Sequence, residues 1–155
     1  MDAVRLIGIN RKLLAASDDP RGVMAESWQA QALAQVMGSR LAVTGPMELR
    51  GEALRLSELG GRGSGALHYP ALGADGIRAA RLTGISDPHA ALLDLGSLLG
   101  EVGIALVGIA STAEDQGAYW QCMEAIDAID ECRDRVVEML RRLLALSHPL
   151  PEGEP

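Results

Sequence analysis

A chain of 155 residues is long enough for one domain with a real core. Its formal charge of −7 argues against non-specific binding to nucleic acid or an anionic membrane. Hydrophobic residues make up 48% of the sequence but aromatics only 3%, with no phenylalanine. The core must therefore be built from Leu, Ile, Val, Ala and Met, which favours helix over sheet.

The first predicted helix runs from about Asp2 to Ala16, with Leu6, Ile9 and Leu13 along one face. Ser17-Asp18-Asp19-Pro20 ends it and starts the next, with Asp19 as N-cap and Pro20 at the first helical position. That second helix continues to about Val43 and is small or apolar nearly all the way round, so it is expected to pack on several sides. Gly45-Pro46 breaks the chain. A third helix is predicted over 46–59, turning Leu49, Ala53 and Leu56 inward. Gly60 to Gly65 then reads as a glycine-rich irregular insertion, followed by a stretch without periodicity and a short helix near 75–82.

The segment from Asp87 to Ser111 is the most apolar and is the expected centre of the fold. Asp87 is placed to cap it and Pro88 to begin it. Leu92, Leu95, Leu99, Val102, Leu106 and Ile109 recur at three- and four-residue steps, which is one helical face. Gly96, Gly100 and Gly103 form a second stripe, across which another helix is expected to approach closely. Asp94 and Glu101 interrupt the roughly 20 apolar residues that a membrane span requires. Thr112 to Asp115 resembles a capping box before the last helix. That helix runs to about Leu146, with Cys122, Ile126, Ile129, Val136, Leu140 and Leu143 facing inward. Glu124, Asp127, Glu131, Asp134 and Glu138 line its other side. The expectation is an all-α bundle of about five main helices spanning residues 1–146, with a disordered proline-rich tail over 147–155.

The blocks WQAQALAQ (28–35), LSELGGRG (56–63), LLGEVGIALVGIA (98–110) and YWQCMEAIDAI (119–129) resemble a family of small Streptomyces-type actinobacterial proteins without an assigned activity. The resemblance covers most of the chain except the tail. It implies that lineage, a cytoplasmic location and a helical fold. Lys12 is the only lysine beside plentiful arginine and alanine, the bias of a GC-rich genome.

Few residues carry chemistry in a recognisable pattern. The acidic row lacks the Glu-x-x-His pairs of a di-iron bundle and reads as a solvated face. His68, His89 and His148 lack metal-ligand spacing. His89 sits in the first turn of the central helix, which disfavours a charged imidazole. Cys122 and Cys132, on one helix and about 15 Å apart along its axis, cannot bridge each other. Both read as buried free thiols in a reducing cytoplasm. No secretory segment is expected, because Asp2 comes early and the first apolar run is broken. Trp28 and Trp120 either fill the core or wall a pocket between helices.

Two functions stay open. The leading one is a non-catalytic, soluble helical module for regulation or protein interaction that self-associates, since there are more near all-apolar helices than one five-helix core readily hides. The alternative is a binder of an anionic small molecule, or a small enzyme, with its site on the Gly60–Arg81 segment. There Arg62, Ser64, His68, Tyr69 and Arg78 would supply the contacts, and Arg81 adds positive charge. The expected partners are a second copy, another protein or an anionic small molecule, with no nucleic acid, membrane, metal or cofactor.

Overall fold

Aspartates start four of the five helices. In the computed structural model, which describes residues 1–66 and 76–147, the side chain of Asp2 accepts the backbone N–H of Val4 at the head of α1 (Ala3–Ala16). Asp19 accepts from Gly22 at 2.7 Å to open α2 (Pro20–Thr44), and Asp87 from Ala90 at 3.1 Å to open α4 (Pro88–Ala110). Asp115 accepts from Ala118 at 2.7 Å to open α5 (Gln116–Ser147). The capping box expected at Thr112 is thus displaced by one turn, and Asp115 is itself the cap. Each bond satisfies an amide that the first helical turn leaves without a partner. α3 (Arg50–Ala66) starts differently, from a 3-10 turn over Met47–Leu49 just after Pro46.

The fold is all-α, five helices with no strand among the described residues. One isolated bridge pairs Asp2 with Gly84, where Ala3 donates to the Gly84 carbonyl and Thr83 to that of Met1. Asp2 also accepts the amide of Ser86, and this bond is the main reason its carboxyl lies below the ordinary range. The expected short helix near 75–82 is a single 3-10 turn over Arg78–Arg81. The glycine run also departs from expectation, because α3 continues through it to Ala66. Of the tail expected over 147–155, Ser147 is the last residue of α5, and residues 148–155 lie outside the described residues.

α2 is the hub, in contact with each of the other four helices. Its most extensive contact is with α3, and glycine makes it possible. A Cβ on Gly38 would lie 2.6 Å from both the Ala53 carbonyl and the Ser57 amide of α3. One on Gly60 would lie 2.7 Å from the Gln35 amide and 2.8 Å from the Gln31 carbonyl of α2. Backbone therefore meets backbone across this crossing, and Ser39 and Ser57 join their hydroxyls at 2.6 Å beside it. The stripe of Gly96, Gly100 and Gly103 on α4 does less than its spacing predicts. Its hypothetical Cβ atoms meet only side chains of α5, Val136 at 3.5 Å, Arg133 at 3.6 Å and Ile129 at 3.9 Å, which is ordinary contact.

α4 buries Leu92, Leu95, Leu98, Leu99, Val102 and Leu106 completely, against α5, α1 and α2. It is also the one described helix long and apolar enough, by length and composition, to cross a membrane. Arg11 of α1 grips its Glu101 through two bonds of 2.6 and 3.1 Å. Across the bundle, Glu52 of α3 takes Arg135 at 2.8 Å and Arg142 at 3.4 Å from α5. Glu138 binds Arg141 and Arg142, whose hydrogen bonds hold its carboxyl down at about 2. The rest of the acidic row, Glu124, Asp127, Glu131 and Asp134, is exposed to solvent.

The two sets of glycines should respond oppositely to an added methyl group. Gly38→Ala or Gly60→Ala drives a carbon into a facing backbone and should lower the urea midpoint, by about 1–3 kcal/mol of stability. Gly100→Ala has room and removes a helix-interior glycine, so it should be neutral or add up to about 1 kcal/mol.

Candidate functional site

The side chains expected to gather around an anion do not gather in the described structure. Arg62 is exposed on α3. The Ser64 hydroxyl donates back to the Gly61 carbonyl at 3.2 Å, and the Ser64 carbonyl accepts the indole N–H of Trp28 at 3.0 Å. Arg78 lies on the far side of α2, buried, and Arg81 is exposed. His68 and Tyr69 lie outside the described residues. Gly60 to Gly63 are helical and press on α2, so the amides of this stretch belong to the helix ladder instead of cradling a ligand.

What surrounds Arg78 is a buried polar cluster, separate from the buried Ser27–Gln31 pair on α2. The Arg78 guanidinium pairs with the carboxylate of Glu26, which also accepts the side-chain amide of Asn10 at 3.0 Å. The backbone N–H of Arg78 donates to Gln29 Oε1 at 3.1 Å, and Gln29 Nε2 donates to the Gly76 carbonyl at 2.8 Å. Gly76 has a φ of 61°, a left-handed conformation that a side chain would strain. The outcome is that α1, α2 and the 3-10 turn are fastened together. Burial is the largest influence on Glu26 and raises its carboxyl above the ordinary range, against the pull of Arg78. Arg78 Nε finds no acceptor among the described residues. Through its pairing with Glu26 and its backbone bond to Gln29, the arginine ties the 3-10 turn to α2. Sequence reading singled out Arg78 but not its partners. Their signal was polar residues, Asn10 and Glu26, set into faces that otherwise bury.

The second feature lies outside the bundle. Along the seam of α4 and α5 runs an open groove of about 320 Å³, lined by Leu99, Gly100, Ile104, Ile126, Asp130 and Arg133 among others. Ile104 is 77% exposed and Val107 is 56% exposed, although both belong to the most apolar helix. Leu93, one end of the same α4 face, and Val137 on the adjoining face of α5 are exposed as well. Near the start of α5, Tyr119 stacks edge-on against an exposed Trp120 at 5.4 Å between ring centres. Trp28, by contrast, is buried in the core. Asp130 and Arg133, one turn apart on α5, form no ion pair with another described residue.

Nucleophilic and metal chemistry find little footing. Cys122 and Cys132 are both buried, as expected, and burial raises both thiols, Cys132 to about 12. Neither is poised as a thiolate. No group of three or more metal-ligating side chains converges among the described residues. His89 is exposed.

The buried pair yields a signed pH prediction. Glu26 titrates higher in the folded than in the unfolded chain, so the folded state holds the proton longer and stability falls as pH rises from about 4.5. Glu26→Gln keeps a hydrogen-bonding group and removes the charge, so the stability of the variant relative to wild type should grow with pH across that window. Denaturant titrations at several pH values measure it, and a constant difference would contradict the assignment. Arg78→Leu should cost about 3–5 kcal/mol at neutral pH, because it strands a buried carboxylate.

No curated protein and no solved structure matches the chain. A match does exist to the family described as "Family of unknown function (DUF6099)", over residues 1–142. That span takes in all the features above apart from the C-terminal end of α5, and the chain is a member of this family.

Proposed function

We propose that this protein is a non-catalytic helical module for regulation or protein interaction, and that it works as a homo-oligomer. The observation that carries this reading is the outer face of α4. A helix that presents Leu93, Ile104 and Val107 to water on one face, with Val137 of α5 exposed on the adjoining face, leaves several large apolar side chains uncovered on one side of the bundle. Such exposed apolar surface marks protein contacts. The glycines beneath leave a hollow that an incoming side chain fills. The arginine-rich composition with a single lysine fits an actinobacterial lineage, and the two free cysteines fit a cytoplasmic setting for such a module. The reading as an anion binder has weaker support, because Arg62 is exposed, Ser64 bonds within α3 and to Trp28, and Arg78 is buried against Glu26.

Multi-angle light scattering over a concentration series is the test. A mass twice that of the chain, falling towards the monomer on dilution, is the expected result. A monomer at every concentration up to the high micromolar range would overturn the proposal.

A further inference from the structure

We infer that the α4/α5 groove is one half of an isologous dimer interface, in which Arg133 faces the partner's Asp130 and Ile104 enters the partner's groove beside Gly100. This inference rests on the self-association proposed above and specifies its geometry.

Size comes first. α4 has 23 residues, hence a length of roughly 35 Å, and two adjacent helices span about 20 Å. A face of that size offers about 700 Å² per protomer, close to the roughly 800 Å² that each partner buries in a stable complex. The groove along its middle is lined by apolar side chains and glycines with two charges, Asp130 and Arg133.

Charge then sets the symmetry. A two-fold contact matches a surface to itself, so every charge within it must find its opposite on the same patch. Asp130 and Arg133 supply one of each sign, separated by one helical turn and unpaired among the described residues. A two-fold axis lying across α5 between them reverses the helix direction in the partner. Each Arg133 then faces the partner's Asp130, and the same operation yields the second pair. A basic or acidic foreign helix would satisfy one of these charges and strand the other.

Shape agrees with charge. The helices run antiparallel, with Gly100 level with Arg133 and Gly103 level with Ile129. The axis therefore crosses α4 between Gly100 and Gly103, within one turn of Ile104. Ile104 is the most exposed large apolar side chain described, and Gly100 lies one turn away, where the atoms nearest a hypothetical Cβ are the far end of the Arg133 side chain. Reversal of α4 on its copy lays the protruding Ile104 of one protomer near the missing side chain of the other. The Arg133 guanidinium now covers Gly100. By turning to the partner's Asp130 it uncovers the hollow that Ile104 fills.

The decisive experiment uses two single charge reversals, Asp130→Arg and Arg133→Asp, each in the full chain. Each homodimer would carry two like-charge contacts, so its Kd should rise about tenfold or more. An equimolar mixture of the two variants restores both opposite pairs and should form a heterodimer about as tight as wild type. Both side chains are exposed, and unchanged circular dichroism and melting of each variant separate a lost contact from a lost fold. Ile104→Asp should abolish the dimer while the melting of the monomer persists. Wild-type dimerisation that ignores the reversals, or variants that weaken but do not recover on mixing, would overturn this interface and leave self-association standing. A wild-type monomer would overturn both. A wild-type monomer that also floats with neutral phosphatidylcholine vesicles would assign the apolar face of α4 to a bilayer instead.

Discussion

The backbone contact between α2 and α3 is the constraint on which the rest depends. A sequence with 3% aromatic residues and no phenylalanine has few large side chains to span the space between helices. It must bring the helices closer instead. Gly38 and Gly60 do so by removing the Cβ atoms that would hold the two axes apart. Each glycine sacrifices up to about 1 kcal/mol of helix propensity, and the contact offsets this with dense packing over both helices. Once α3 is seated, its outer side takes α5 through Glu52, Arg135 and Arg142, and its last turns receive the indole N–H of Trp28. The opposite side of α2 is left for α1, α4 and the 3-10 turn.

That opposite side explains the buried polar cluster. A 3-10 turn of four residues has no extended apolar face with which to anchor itself. Two polar side chains do it instead, with Gln29 fixing the backbone at both Gly76 and Arg78 and Glu26 fixing the guanidinium. Desolvation of two charges is costly, so the pair contributes more to position than to stability. A chain that fixes a turn at such expense holds its surroundings in one arrangement. The most rigid part of the anion-binding hypothesis, Arg78, is thus explained by architecture.

Much of this was legible in the sequence. The helix starts at Asp19 and Asp87, and the buried face from Leu92 to Leu106, followed from capping chemistry and periodicity, which are local rules. The glycines misled because local rules price a glycine by its backbone freedom alone. Six residues such as Gly60-Gly61-Arg62-Gly63-Ser64-Gly65 read as a connector until α2 is placed against them, at which point Gly60 becomes a position where any Cβ would strike the α2 backbone. The reverse holds for Gly96, Gly100 and Gly103, whose regular spacing suggested a backbone crossing that the long side chains of α5 do not make. Glu26 and Asn10 were invisible as a pair because they meet between different helices, sixteen positions apart. The groove was half visible. An excess of apolar helix surface over available core is a property of the whole sequence, but which face stays outside depends on where α5 lies.

The strong negative charge of the chain would be expected to keep two copies apart, and its distribution removes the objection. On α5 the exposed Glu124, Asp127, Glu131 and Asp134 are centred about a third of a turn round from Ile126, at roughly 100° per residue. They face solvent when the groove faces a partner. At physiological ionic strength, charges separated by more than about 8 Å across water are largely screened. The repulsion between the two acidic rows is therefore weak, whereas charges enclosed in the groove are hardly screened at all. Within the groove the balance is neutral, one aspartate to one arginine. In the proposed dimer the same helix would turn its acidic face to solvent and its groove, with one charge of each sign, to the second copy.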